Sequence, residues 1–327
     1  MMLRTSLLSG LLLQAAPRRW LLARLARAWP APPPGTRFGA YFSGRAALFA
    51  IARSPAFTRR VALLPAYLCN VVPLAFERAG WQVHGYEVDE RFMPDASGLR
   101  ALAEACGADL LLLAPLYGSD GGMAHWLGDD AAAWRSRRGV ALVFDLCQDA
   151  ALLQQLLRSP GPRWAAVLSF NDKSFPGVMG ACAWGDLPLE SPPPPGWRER
   201  WLLAAWALRK CLPARRSDAS TPAFDHSTAA RFPYGFDPLG ASALQLALGL
   251  VGLARLPRWV ARRRDAVARG DVHPLPLPFS TGAPFVVVDA ADPARHRRKR
   301  PYALAHDANA SLRPQLVVRH NKGFDDR

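Results

Sequence analysis

Four short apolar runs constrain the fold of this chain more than any other feature. They are residues 61–65, 110–116, 140–145 and 165–170, and none alternates between apolar and polar positions as a half-solvated strand would. Strands that read as continuous hydrophobic sequence are buried on both faces, which is characteristic of parallel sheets covered by helices. The intervening segments supply the helices. Residues 44–52, 70–79, 97–106 and 131–138 have helical character, and Gly80 and Gly107 stand where two of them must stop. Further strands are expected at 82–88, 181–184 and 285–289, and further helices at 201–212 and 241–269. The alternation predicts an α/β three-layer sandwich with a mostly parallel central sheet and a small C-terminal α+β domain.

At 327 residues the chain can bury a large core and divide into a large and a smaller unit. Pro30-Ala31-Pro32-Pro33-Pro34-Gly35 separates a basic N-terminal segment, 1–35, from the rest. The expected large domain is 36–238 and the small one 239–327. Residues 187–197, with four consecutive prolines, form a connector, and 217–238 a long polar loop of the kind that often serves function. Beyond Pro293 the sequence is irregular and charged, and it carries no legible element.

The net charge of +15 comes almost entirely from arginine. Basic residues cluster near both ends, where they could face nucleic acid, anionic lipid or an anionic substrate. No nucleic-acid module is legible and aromatics do not interleave with the basic runs, so nucleic acid is not an expected partner. The first sixteen residues resemble a weak signal peptide and are too short to span a membrane. Residues 17–29 read as a basic amphipathic helix, suited to packing on protein or, less often, to peripheral contact with a membrane. The five cysteines are scattered without metal-ligand spacing, so no metal site is expected. Free thiols in a reducing cytoplasm are the simplest account.

Only four of the 41 Lys+Arg residues are lysines, and Lys173 is the first of them. A chain that uses arginine for generic positive charge needs a lysine where an amine must lose its proton, as in Schiff-base chemistry. Lys173 follows the strand that ends at Ser169. In parallel sheets, ligands gather at the carboxyl ends of strands. Here those ends carry Asp145 and Ser169, while Ser43-Gly44 opens a helix whose backbone N–H groups suit a phosphate. Asp145 could pair with a protonated pyridine nitrogen, or simply cap a helix. A phosphate site, an acid, a hydroxyl and an amine, in that order, describe a pyridoxal 5'-phosphate site.

These residues resemble the DegT/DnrJ-type sugar aminotransferases, of fold type I among the pyridoxal phosphate enzymes, over roughly residues 40–270. Ser43-Gly44-Arg45-Ala46-Ala47-Leu48 is similar to the family's phosphate-binding opening. Leu64-Pro65-Ala66-Tyr67, Leu116-Tyr117-Gly118, Asp145-Leu146-Cys147-Gln148 and Leu244-Gln245-Leu246-Ala247-Leu248-Gly249 are similar to its later motifs. Ser169-Phe170, Lys173 and Gly177-Val178-Met179-Gly180 complete the series. The resemblance implies that Gly44, Arg45, Ala46 and Ser169 hold the cofactor phosphate and that Tyr67 lies near the ring. It implies that Asp145 pairs with the ring nitrogen, Gln148 contacts the ring hydroxyl and Lys173 carries the cofactor. An amino-acid donor, a keto-sugar acceptor linked to a nucleotide, a role in polysaccharide biosynthesis and a homodimer are implied as well. Three departures stand out. Ser169 and Lys173 are one residue closer than is usual, Pro115 stands where the family has His, and no Asn-x-Arg precedes residue 244. They leave open a non-catalytic or dehydratase-like relative on the same fold.

Overall fold

The computed structural model describes residues 2–29, 32–69, 71–89, 91–170, 179–211, 236, 238–269, 285–288, 302–304 and 315–319. Lys173 and most of the 217–238 loop lie outside the described residues.

Seven strands form the central sheet: β1 (Arg37–Tyr41), β2 (Val61–Pro65), β3 (Gln82–Tyr86), β4 (Leu110–Leu113), β5 (Ala141–Asp145), β6 (Trp164–Ser169) and β7 (Ala181–Gly185). Their order is β1-β7-β6-β5-β4-β2-β3. All run parallel except β7, which lies antiparallel between β1 and β6. Every residue of β4, β5, β6 and β7 is buried, which accounts for the apolar runs. The edge strand β3 buries only Tyr86. The second apolar run, 110–116, keeps its strand geometry only as far as Leu113, because Pro115 cannot donate to a ladder.

The other edge, β1, was not expected from sequence. Arg-Phe-Gly-Ala-Tyr has no continuous apolar run, and its strand conformation depends on pairing with β7 from Arg37↔Gly185 to Tyr41↔Ala181. Six helices connect the strands: α3 (Gly44–Ala52), α4 (Val71–Arg78), α5 (Ala96–Cys106), α6 (Met123–Trp126), α7 (Asp129–Arg138) and α8 (Leu152–Leu156). At the amino ends of the strands, buried Asp109 accepts from the backbone N–H of Arg59 and Arg60 (2.6 and 2.7 Å) and from Arg59 Nε (2.9 Å). That carboxylate fixes the entry to β2 beside β4.

Four more helices pack together: α1 (Met2–Leu13), α2 (Arg18–Ala26), α9 (Trp197–Cys211) and α10 (Ala243–Ala268). α1 packs on α10 at Gly10, where a Cβ would run into the Leu248 side chain, so the glycine eases the close approach. α2 buries Leu21 and Leu25, one helical turn apart. Trp29 then meets Trp184 of β7 edge-on at 5.7 Å. The N-terminal segment is thus part of the packed structure. Beyond Pro293, where no element was legible, lie β9 (Tyr302–Leu304) and β10 (Gln315–Arg319), which join β8 (Phe285–Val288) in a small antiparallel sheet. Among the described residues no helix is long and apolar enough to cross a membrane.

Candidate active site

The carboxyl ends of β2, β5 and β6 bring most of the sequence-marked residues to one edge of the sheet. α3 begins there. Ser43 is its N-cap, in extended conformation, and Ser43 Oγ accepts from the Ala46 N–H at 3.2 Å. Gly44 opens the helix against the next strand end: a Cβ at this position would sit 3.6 Å from Ser169 Cβ, 3.8 Å from Ser169 Oγ and 3.7 Å from Cys147 Sγ. The helix N-terminus, the Ser169 hydroxyl and the turn after β5 therefore share one small cradle. A helix N-terminus with an adjacent hydroxyl suits a phosphate, through its N–H groups and the positive end of the helix dipole. The Arg45 side chain packs beside Phe236. Its guanidinium lies 5.6 Å from the Phe236 ring, on whose face Arg78 also sits at 4.4 Å. Burial lowers the Arg45 pKa; nearby Cys69 opposes that shift and Arg78 adds to it.

Asp145, buried, ends β5 in register with Val167 of β6, two residues before Ser169. Its Oδ1 accepts from the Cys147 N–H at 3.1 Å and caps a single 3-10 turn, Leu146–Gln148. The capping role considered from sequence is therefore real. It engages Oδ1, while a carboxylate can accept through both oxygens.

Gln148 closes that turn, and its Oε1 accepts from the Tyr117 N–H at 3.4 Å. Tyr117 holds φ 53° and Gly118 φ 100°, both in the left-handed region. A tyrosine in that region stores strain, which surrounding contacts must maintain. Here the tie to Gln148 and a 3.1 Å hydrogen bond between the Tyr117 and Tyr67 hydroxyls do so. Tyr67, Phe92 and Tyr117 form an aromatic cluster, with centroids 5.0 to 6.2 Å apart. Burial raises the Tyr67 pKa, and the bond to Tyr117 works against it.

Both ends of the segment that carries Lys173 are fixed. The Phe170 N–H donates to Gly180 O, and the Gly180 N–H to Phe42 O, each at 2.8 Å. Gln245, fully buried on α10, donates from Nε2 to the same Phe42 carbonyl at 2.9 Å, and its Oε1 accepts from the Ser242 N–H at 2.9 Å. One turn on, Gly249 meets the Phe170 ring so closely that a Cβ would lie 2.8 Å from it. This explains the Leu-Gln-x-Ala-Leu-Gly pattern: glutamine braces the strand end and glycine leaves room for Phe170.

Sequence reading did not assign roles to Phe92, Cys147 or Gln245. Phe92 sits in a bend that Asp89 holds by accepting from the Arg91 and Met93 N–H groups, both at 2.8 Å, but its partners Tyr67 and Tyr117 are set by the fold and not by local sequence. Cys147 was visible only as a motif position. Cys69, Cys106, Cys147 and Cys182 are free thiols, and burial pushes the Cys182 thiol well up. No group of three or more His, Cys, Asp or Glu residues suited to a metal ion occurs among the described residues.

No protein-family model matches the chain, and no curated protein matches it. Solved structures do. The chain is similar to PseC of Helicobacter pylori, an aminotransferase involved in the biosynthesis of pseudoaminic acid, with TM-score 0.62 at 12% identity over 98% of this chain and 92% of that one. It is similar to Spr1654 of Streptococcus pneumoniae, assigned as a sugar aminotransferase and solved in its PMP form, with TM-score 0.58 at 16% identity over 98% and 90% of the two chains. TlmJ, an aminotransferase of Streptoalloteichus hindustanus, gives 0.57 at 18% identity over 95% and 90%. These likenesses span nearly the whole chain and establish that its fold is the one these aminotransferases use.

Proposed function

We propose that this chain is a pyridoxal 5'-phosphate-dependent aminotransferase of the DegT/DnrJ type, moving an amino group from an amino-acid donor to the keto group of a nucleotide-linked sugar. The observation that carries the reading is the cradle at Gly44. The start of α3, Ser169 Oγ and the turn capped by Asp145 converge there, on a fold shared with solved aminotransferases. The residues fit the cofactor: a helix N-terminus and a hydroxyl for its phosphate, a buried carboxylate for its ring nitrogen and a nearby aromatic cluster for its ring.

The cofactor, when bound, supplies an electron sink for the bond electrons of the donor's alpha carbon. The chain does the rest. The backbone N–H groups of Gly44 and Arg45, with Ser169 Oγ, would hold the phosphate, the Ala46 N–H being engaged already by Ser43 Oγ. The Asp145 carboxylate would keep the proton on the ring nitrogen, because a fixed negative charge close by favours the protonated form and so offsets the cost of burying it. Tyr67, held by Tyr117, covers the ring, and Gln148 ties the turn after β5 to that aromatic cluster. Lys173 Nζ would hold the cofactor, and its free amine would take a proton from the donor's alpha carbon and return one on the acceptor side as general base and acid. In this reading 36–238 is the cofactor-binding domain and 239–327 the small domain. The active form is a cytoplasmic homodimer.

The test is covalent trapping. Purified protein incubated with pyridoxal 5'-phosphate and reduced with borohydride should carry the cofactor mass on the Lys173 peptide, and Lys173→Ala should not. Glutamate should then bleach the visible absorbance of the unreduced protein in a single turnover. Trapping elsewhere, or none, overturns the cofactor assignment. Trapping on Lys173 without any response to a panel of amino acids would make the chain a silent relative, as the shortened Ser169 to Lys173 spacing would suggest.

A further inference from the structure

The helical layer has an outer face that the proposed reaction does not use. In α9, Trp197, Trp201 and Leu208 are 76%, 71% and 63% exposed. At ~100° per residue these three fall within roughly 40° of one another, and Leu203, which is buried, lies on the opposite side. In α1, Leu8 and Leu12 are 56% and 80% exposed, one turn apart, and point away from Gly10, which faces α10. α1 contacts α9, and their inner faces share one small cluster: Leu203 with Leu244 and Leu248 of α10, and Leu11 against them. The two outward stripes therefore lie on neighbouring helices and face away from the sheet.

The same layer is strongly basic. α1, α2, α9 and α10 contain thirteen basic residues and only two acidic ones, Glu199 and Asp265. Among them Arg19, Arg24, Arg198 and Arg258 are exposed. No acidic residue occurs anywhere before Glu77. Between the end of α1, α2 and α10 a groove of about 490 Å³ has Leu250 and Leu253 in its wall and Arg24 and Arg27 beside them.

We propose that this face docks the protein on an anionic lipid surface, with Trp197, Trp201, Leu208, Leu8 and Leu12 entering the headgroup region and the arginines meeting lipid phosphates. Charge selects the occupant. A second copy bringing the same face would set like charges against each other, and a nucleic acid would leave the leucines and tryptophans in water. Exposed Trp and Leu beside Arg match a membrane interface, where indole rings sit at headgroup depth and each basic residue adds to binding on anionic lipid. The surface extends the N-terminal segment suspected from sequence by adding α9, whose Trp stripe carries the largest exposed apolar groups. It does not depend on the chemistry assigned to the cradle.

The experiment is flotation of the full-length protein with vesicles of phosphatidylcholine containing about 30% phosphatidylglycerol, and with phosphatidylcholine alone. Binding is expected to the anionic vesicles only and to weaken as salt rises. Trp197→Ser/Trp201→Ser leaves the fold intact, since both rings are mostly in solvent, and should lower vesicle partitioning about tenfold or more. Arg19→Gln/Arg24→Gln/Arg198→Gln should lower it on anionic vesicles to a similar extent. Absence of flotation with either vesicle overturns the proposal. So does flotation unaffected by the tryptophan substitutions, together with equal competition from duplex DNA, which would make the patch purely electrostatic. Loss of self-association in the tryptophan variant with unchanged flotation would reassign the stripe to a second copy.

Discussion

Asp145 caps a 3-10 turn through Oδ1, and asparagine can accept the same bond from the Cys147 N–H. The proposed chemistry, in contrast, needs the negative charge. Asp145→Asn should therefore leave the melting midpoint within about 2 °C of the parent. The glutamate half-reaction should slow roughly 100-fold or more, read by stopped-flow absorbance. A variant that lost stability and rate together would make Asp145 a structural cap. Gln245 lies at the other extreme, with a role in packing alone. Its side chain satisfies the Phe42 carbonyl and the Ser242 N–H in a fully buried position. Gln245→Ala strands the Ser242 N–H, removes one of the two donors to the Phe42 carbonyl and leaves a void, so the chemical-denaturation midpoint should fall by the equivalent of about 2–4 kcal/mol.

Among the elements, α3 is the one whose start matters most. A methyl at Gly44 would meet Ser169 and Cys147 at 3.6–3.8 Å, ordinary contact distances, so Gly44→Ala should fold normally. It would also occupy the cradle. Affinity for pyridoxal 5'-phosphate should drop about tenfold, corresponding to roughly 1.4 kcal/mol in a fluorescence titration. α5 offers a control far from the site, where capping should register as acid stability. Its N-cap Asp95 accepts from the Ser97 hydroxyl and from the Ser97 and Gly98 N–H groups, and these bonds, the Ser97 hydroxyl first, hold its pKa below the ordinary 3.8. A depressed carboxylate pKa stabilises the folded state above 3.8 and loses that contribution as pH falls from 3.8 through the folded value. Asp95→Asn should thus flatten the stability profile as pH falls below 3.8, checked by thermal melts across the acid range.

At the scale of the molecule, the N-terminal helices and α10 close one side of the sheet. Leu21 and Leu25 are wholly buried and Trp29 packs on Trp184. Deleting residues 1–29 should lower the melting midpoint by roughly 10 °C or more, or abolish cooperative melting, in calorimetry. Had those residues been a dispensable leader, the midpoint would not move. The N-terminal segment was legible as helix but not as core, because its apolar residues are spaced equally well for packing on protein or on lipid. Only the close approach at Gly10 and the burial of Leu21 and Leu25 separate the two uses, leaving Leu8 and Leu12 for the outside.

The apolar runs determined that strands β2, β4, β5 and β6 would be parallel and covered on both faces, since burial on both sides permits no polar alternation. Motif order likewise marked Gly44, Asp145 and Ser169 as neighbours in chemistry. Tertiary structure decided what local sequence could not encode. β1 is a strand because β7 pairs with it. Phe92 joins Tyr67 and Tyr117 because the fold brings the bend held by Asp89 against two residues more than twenty positions away. The Arg45 side chain meets Phe236, a residue far along the chain. Each of these depends on a partner far away in the chain. A residue's type and spacing specify the element it favours, while the face it presents and the group it meets depend on what the rest of the chain packs against it.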